Sequence, residues 1–110
     1  MSLIRLHRNP KGKAFKKLFE YIKKKFPDKE FQRKDMPEVP KDYLNEVKMQ
    51  TAGTYWIDSS PSICAIETLL IDMCNNELLQ KREVQRNQWG DMDIFFSLTT
   101  KGKQSEVAYG

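Results

Sequence analysis

The sequence is poor in the side chains that most enzymes and metal sites require. It has one histidine, His7, and two cysteines, Cys64 and Cys74. These three residues do not supply the four ligands of a structural zinc site. The serines of residues 59–62 have no histidine nearby in the sequence to act as a base, and no glycine-rich phosphate loop is present. We therefore expect no catalytic centre, no metal and no cofactor.

Long apolar runs are also missing. No run approaches the roughly 20 residues that a membrane span requires, so we expect no membrane partner. The charged N-terminal residues lack the apolar core of a secretory signal. Cys64 and Cys74 fall on one predicted helix about 15 Å apart, which is beyond the reach of a disulfide. Free thiols are typical of a reducing compartment, so the expected location is cytoplasmic.

Charge is the most uneven property of the chain. Residues 1–34 hold twelve Lys and Arg against three Asp and Glu, whereas residues 35–110 hold seven against twelve. The net charges of the two parts are therefore +9 and −5, which sum to +4. A localised positive field attracts polyanions, nucleic acid first and an anionic membrane or an acidic protein next.

Residues 11–26 have the clearest helical pattern. Apolar residues recur at i, i+3, i+4, i+7 and i+11, and so lie on one side of a helix: Phe15, Leu18, Phe19, Ile22 and Phe26. Lys13, Lys17 and Lys24 lie on the other side. This lysine face is either solvated or a contact surface for phosphates, and the local surplus of positive charge favours phosphates.

The next segments are less regular. Residues 28–36 have only Phe31 and Met36 as apolar anchors, which is typical of a short edge strand or of the entry to a helix. A second helix is predicted after Pro40, with Tyr43, Leu44 and Val47 on one face.

A third helix is predicted from Ser60, a good N-cap, to residue 74. It is apolar over most of its circumference, which is typical of a helix at the centre of a small domain. Ala65, Thr68 and Asp72 are its expected outward positions. The first turn either is simply capped or, with Ser59, Ser60 and Ser62, holds a phosphate through its backbone N–H groups.

A β-hairpin is predicted next, with strands at residues 78–84 and 92–98 and a polar turn at 85–91. Apolar and polar residues largely alternate in the second strand. The turn carries hydrogen-bond donors beside an aromatic ring, Trp89, which either meets a partner or folds back onto the sheet. Lys81 and Arg82 either extend this polar patch or are ordinary charged edge residues.

Residues 77–84 and 94–103, the latter reading Ile-Phe-Phe-Ser-Leu-Thr-Thr-Lys-Gly-Lys, follow a helix in this order. The arrangement resembles the wing region of MarR- and PadR-like winged-helix transcriptional regulators. The resemblance implies an α+β fold, a small winged helix-turn-helix domain with three helices plus a C-terminal β-hairpin, the wing. In that interpretation residues 1–10 are an N-terminal arm, 11–104 the domain and 105–110 a C-terminal tail, expected to be frayed. The expected core is Phe15, Leu18, Phe19, Ile22, Phe26, Leu44, Val47, Ile63, Ile66, Leu70, Met73, Leu79, Ile94, Phe96 and Leu98.

The resemblance further implies a double-stranded-DNA-binding protein, most simply a small transcriptional regulator and a homodimer. The third helix has no Lys or Arg and carries Glu67 and Asp72, so we expect little direct base readout. Contacts would come from the basic arm, the first helix and the wing. The candidate nucleic-acid-binding residues are Lys13, Lys17, Lys24, Ser60, Ser62, Lys81, Arg82, Arg86, Asn87, Gln88 and Trp89. The alternative is a winged-helix protein-interaction module, an adaptor that does not bind DNA directly.

Overall fold

The computed structural model describes residues 3–6, 9–51 and 61–109, and the structural statements that follow concern these residues. The element order is β1 (Leu3–Leu6), α1 (Pro10–Lys25), a short 3-10 helix (Arg33–Asp35), α2 (Lys41–Thr51), α3 (Pro61–Asn75), β2 (Leu79–Gln85), β3 (Met92–Leu98), α4 (Thr100–Gln104) and β4 (Glu106–Tyr109). The mixed helix and strand content confirms the α+β class. Helices α1, α2 and α3 and both hairpin strands lie within a residue or two of their predicted positions.

Helix α1 begins and ends where its sequence favours it. The side chain of Asn9 accepts a hydrogen bond from the Gly12 amide at 2.7 Å, and Pro10 occupies the first turn, where no amide donor is needed. Three lysines in the last turn face the negative end of the helix dipole. The predicted apolar face is buried at Phe15, Leu18, Phe19 and Ile22.

Helix α3 ends in a Schellman motif. The amide of Leu78 donates to the carbonyl of Met73 at 2.9 Å, and the amide of Glu77 donates to the carbonyl of Cys74 at 3.0 Å. Glu77 therefore adopts a left-handed conformation, with φ of 63°, at a position that usually holds glycine. This turn leads the chain directly from α3 into β2.

The hairpin is antiparallel, with its register running from Leu79 opposite Leu98 to Gln85 opposite Met92. Phe31 adds a single antiparallel bridge to Phe96, with two backbone hydrogen bonds of 2.8 Å. The segment around Phe31 thus contributes a bridge to the sheet, followed by the 3-10 helix. The bridge agrees with the short edge strand that is one of the two alternatives for this segment, whereas the 3-10 helix is separate from α2.

A second sheet joins the two ends of the described chain. Strands β1 and β4 pair in parallel, with Leu3 opposite Glu106 and Leu6 opposite Tyr109. We expected residues 105–110 to form a frayed tail, whereas residues 106–109 pair with β1. Strands of four residues are too short to show a clear alternation of apolar and polar residues. Because the two strands lie about a hundred residues apart in the sequence, their pairing depends on tertiary packing.

Helix α4 brings glycine close to the start of β2. Thr99 caps α4 by accepting from the Gly102 amide at 2.9 Å, and its hydroxyl donates to the carbonyl of Glu77 at 2.6 Å. A β-carbon at Gly102 would lie 2.1 Å from the carbonyl oxygen of Leu78, so only glycine fits there without a backbone shift.

Most of the expected core is confirmed, including Val47, Leu70, Met73, Leu79, Phe96 and Leu98. Phe26, Leu44, Ile63 and Ile66 are only half-buried. Two expectations were wrong. Ile94 is 38% exposed because it lies on the part of β3 beyond the Phe31 bridge, and Ala65 is fully buried rather than outward. The carbonyl of Ala65 lies 3.5 Å from the Tyr43 hydroxyl, so this side of α3 faces α2.

Replacing Glu77 with glycine should stabilise the protein. Glycine adopts the left-handed conformation without the steric cost that a β-carbon imposes, and we expect a gain of about 0.5–1 kcal/mol in the free energy of unfolding. Urea denaturation measures it. Glu77→Ala is the matched control, because it removes the Glu77–Lys101 ion pair but keeps the β-carbon. An equal gain in both variants would contradict the conformational explanation.

Tyr43 should make stability depend on pH in the alkaline range. Burial raises the pKa of its hydroxyl to about 12, and the charges of Asp72 and Glu46 act in the same direction. The raised pKa favours the neutral phenol, so its stabilisation is complete below pH 10 and is lost as the pH rises from 10 to 12. Between pH 9 and pH 12, the free energy of unfolding of the wild type should fall by on the order of 2 kcal/mol more than that of Tyr43→Phe. Urea unfolding of both proteins across this range measures the difference, and parallel pH profiles would refute it.

Candidate functional site

The lysines of α1 form its solvent-facing side. The helix carries seven lysines and one glutamate. Lys13 lies 3.8 Å from the Asp42 carboxylate of α2, and Lys16 lies 3.9 Å from Glu20. Lys17, Lys24 and Lys25 are exposed and have no ion pair within the described part of the chain. Of the predicted contact lysines, Lys17 and Lys24 thus offer uncompensated charges, two helical turns apart.

Two other lysines of α1 are committed to the protein itself. The ammonium group of Lys23 donates to the carbonyl oxygen of Ser105 at 2.7 Å and lies 5.4 Å from the centre of the Phe19 ring. Lys11 lies 2.7 Å from the Asp72 carboxylate of α3. Lys11 and Lys23 therefore attach α1 to α3 and to Ser105, the residue between α4 and β4, whereas other lysines of α1 face solvent.

Helix α3 offers little to a DNA groove. Its two acidic side chains are engaged within the protein, since Glu67 accepts a hydrogen bond from Arg33 and Asp72 pairs with Lys11. Ser62 lies in the first turn of the helix, and Ser60 lies outside the described residues. The interpretation of α3 as a base-reading helix therefore gains no support from its exposed groups.

Each basic residue of the hairpin has a carboxylate partner. Lys81 lies 3.1 Å from Glu83 on the same strand. Arg82 makes two hydrogen bonds, of 2.8 and 2.9 Å, to Glu30, and its guanidinium lies 4.7 Å from the centre of the Phe95 ring. The hydrogen bonds from Arg82 lower the pKa of the Glu30 carboxyl.

Arg86 follows the same pattern at the end of β2. Its guanidinium lies 3.7 Å from Asp93 and 4.0 Å from Asp91. Residues 79–98 hold three basic and three acidic side chains, so the hairpin has no net charge. The hairpin therefore has little long-range attraction for phosphates.

The tip of the hairpin is a hydrogen-bonded loop that presents Trp89. The Asn87 side-chain oxygen accepts from the amides of Trp89 at 2.9 Å and of Asp91 at 3.3 Å, and its side-chain nitrogen donates to the Asp91 carboxylate at 2.8 Å. Gly90 supplies the positive φ, 88°, that closes the turn. Trp89 is 81% exposed, so it does not fold back onto the sheet, and Gln88 is also exposed. Asn87 is thus occupied within the loop, whereas Gln88 and Trp89 face solvent.

A cleft between α3 and the hairpin is the feature that the sequence analysis missed. It has a volume of about 600 Å³. One wall is α3 and the other is β3, and residues 32–34, Lys81 and Arg86 complete the lining. Its exposed apolar side chains are Ile71 of α3 and Met92 and Ile94 of β3. The only hint in the sequence is that Ile71 lies beside the main apolar face of α3.

The described residues contain no group of three or more His, Cys, Asp or Glu side chains that could hold a metal ion. Cys64 and Cys74 are both free, as expected from their spacing. Burial raises the pKa of the Cys74 thiol, which lies in the cleft lining. Within the described ranges, the helices are too short or too polar to cross a membrane.

Comparisons with known proteins return no match: no family model, no curated protein and no solved structure is similar to this chain.

Replacing Asn87 with alanine should loosen the hairpin tip without unfolding the protein. The change removes three hydrogen bonds from a loop that lies outside the core. We expect backbone order parameters of residues 87–91 to fall below about 0.6 in NMR relaxation measurements, with little change in melting temperature. Gln88→Ala is the control, because that side chain is exposed on the same loop. A tip that stays equally ordered in both variants would show that Asn87 does not hold it.

Proposed function

We propose that this chain is a DNA-binding protein of the winged-helix type that contacts duplex phosphates through α1. The observation that carries the proposal is the lysine-rich solvent face of this helix, where Lys17, Lys24 and Lys25 have no ion pair among the described residues. A helix that concentrates positive charge on one side attracts a polyanion and contacts it by phosphate pairing.

The order of elements supports the winged-helix part of the proposal. Three helices precede an antiparallel hairpin, and the segment between the first two helices bridges the second hairpin strand at Phe31 and Phe96. The resemblance in residues 94–103 is what supports a role in transcription regulation and a homodimer. The lysine face of α1 by itself supports phosphate binding alone.

The proposed binding mode is weakly dependent on base sequence. Helix α3 carries no Lys or Arg, and the basic residues of the hairpin are paired with carboxylates. Phosphate contacts position a protein on the duplex without reading its sequence. We therefore expect similar affinities for unrelated duplexes of equal length, and a steep decrease in affinity with salt.

Neutralising the unpaired α1 lysines should weaken DNA binding and reduce its salt dependence. For a triple variant, Lys17→Gln, Lys24→Gln and Lys25→Gln, the slope of log K against log salt should fall by about 0.9 per lost phosphate contact. Fluorescence anisotropy with a labelled duplex, measured between 50 and 200 mM salt (about the range in which such losses are large), gives the slope.

The matched control removes the same charge elsewhere. Lys34→Gln, Lys41→Gln and Lys101→Gln change three exposed lysines outside α1, so the net charge of both variants is equal. The control should retain most of the wild-type slope. Equal losses in both triple variants would mean that net charge rather than the α1 face governs binding, and undetectable binding of the wild type at low salt would refute the proposal altogether.

The second candidate function is a protein-interaction module without direct DNA contact. One observation favours it specifically: three of the five exposed large apolar side chains among the described residues lie in the cleft between α3 and the hairpin. Gathered apolar patches are typical of interaction sites.

A further inference from the structure

The cleft between α3 and the hairpin concentrates much of the exposed apolar surface of the described chain. Ile71 is 54% exposed, Met92 43% and Ile94 38%, and all three line this one cleft. Leu70 and Phe96, both buried, also contribute to its lining. The apolar lining is therefore continuous with the core and open to solvent.

The cleft lies against a face of the sheet rather than along an edge. Met92, Ile94 and Phe96 alternate along β3 and so project from the same side of the hairpin. A segment seated there meets side chains, not the unpaired backbone groups of a strand edge. A helix suits this position because its backbone hydrogen bonds are satisfied internally, whereas an extended peptide would lay unsatisfied amides against aliphatic side chains.

Basic residues outnumber acidic residues in the cleft lining around this apolar surface. It contains four basic residues, Arg33, Lys34, Lys81 and Arg86, and two acidic residues, Glu67 and Asp93, a difference of +2. Lys34 has no ion pair among the described residues. The other three cations are in half-exposed ion pairs, which are worth less than about 1 kcal/mol each and leave the cations able to share an incoming carboxylate.

A second copy of this chain offers no suitable occupant among its described helices. The apolar face of α1 is buried and its exposed face is basic, so it would meet Lys34 and Arg86 with like charge. Tyr43 and Val47 of α2 are buried, and α3 is itself a wall of the cleft. The described helices of a second copy are therefore excluded as the occupant.

We propose that this cleft binds an amphipathic helix of a partner protein, with its apolar side against Ile71, Met92 and Ile94 and with Asp or Glu on its flanks. Aliphatic side chains of the partner fill the apolar lining, and its carboxylates lie near the basic residues, an arrangement in which charge sets orientation and partner choice. The α1 lysine face is not involved, so this interaction is independent of DNA binding.

Designed peptides test the proposal. The probe is a fluorescently labelled helical peptide with Leu at i, i+3, i+4 and i+7 and Glu at the flanking positions. A second peptide has Lys in place of each Glu, and a third has the residues of the first in scrambled order. We expect the acidic peptide to bind the full chain at least tenfold more tightly than either of the others. Equal binding of the acidic and basic peptides, or no binding of any peptide, would overturn the proposal.

Two variants of the protein locate the binding. A double variant, Ile71→Ser with Ile94→Ser, removes exposed apolar groups from the cleft. Its affinity for the acidic peptide should be at least tenfold lower than that of the wild type. Val84→Ser is the matched control, because Val84 is comparably exposed but lies outside the cleft lining. Circular dichroism checks that all variants fold. If Val84→Ser weakens binding as much as the cleft variant, the site is not the cleft.

A separate measurement tests the contact between the carboxylates of the peptide and the basic residues of the cleft. Lys34→Glu should weaken the binding of the acidic peptide and strengthen the binding of the basic peptide, because Lys34 lines the cleft and has no ion pair among the described residues. The α1 triple variant used for DNA binding should leave the affinity for the acidic peptide unchanged. Loss of peptide binding in the α1 variant would show that the acidic peptide contacts the α1 lysines rather than the cleft. That result would refute the cleft as the peptide site, whatever the outcome with DNA.

Discussion

The burial of α3 is the constraint on which the remaining structure depends. Ala65, Leu69, Leu70 and Met73 are fully buried, and α3 contacts α1, α2, the 3-10 helix and β2. Burying a leucine or methionine side chain is worth about 1.5–3 kcal/mol. Three such residues on one helix therefore contribute about 4.5–9 kcal/mol, comparable with the lower part of the net stability of a small domain, about 5–15 kcal/mol. Other elements pack where they cover this helix.

This burial separates the surfaces of the protein. Glu67 and Asp72 pair with Arg33 and Lys11, so the acidic side chains of α3 are engaged in contacts within the protein. The opposite holds for α1, which buries its aromatic side against the core and turns Lys17, Lys24 and Lys25 to solvent. The surface with uncompensated positive charge thus lies on a different helix from the one that a winged-helix regulator would use to read bases.

The hairpin is packed at one end and free at the other. Leu79, Phe96 and Leu98 are buried, whereas six of the seven residues of β2 are exposed. An isolated two-stranded hairpin is only marginally stable in water, so its distal half depends on the tip loop and on cross-strand pairs. The same geometry leaves Ile94 and Met92 beside Ile71 with space between them. The cleft is thus a consequence of a hairpin that is longer than the core it covers.

Local patterns in the sequence determined the helices and the hairpin of this protein. The i, i+3, i+4 repeat of α1 and the alternation in β3 specify which side of each element is apolar, since that depends only on backbone geometry. The charge excess of residues 1–34 likewise needs no structure. Tertiary structure decided what each charged group faces: Arg82 has Glu30 as its partner, 52 positions away, and Lys23 reaches the carbonyl of Ser105. It also decided the β1–β4 pairing, the burial of Ala65 and the cleft, because each depends on how elements distant in sequence are placed against one another.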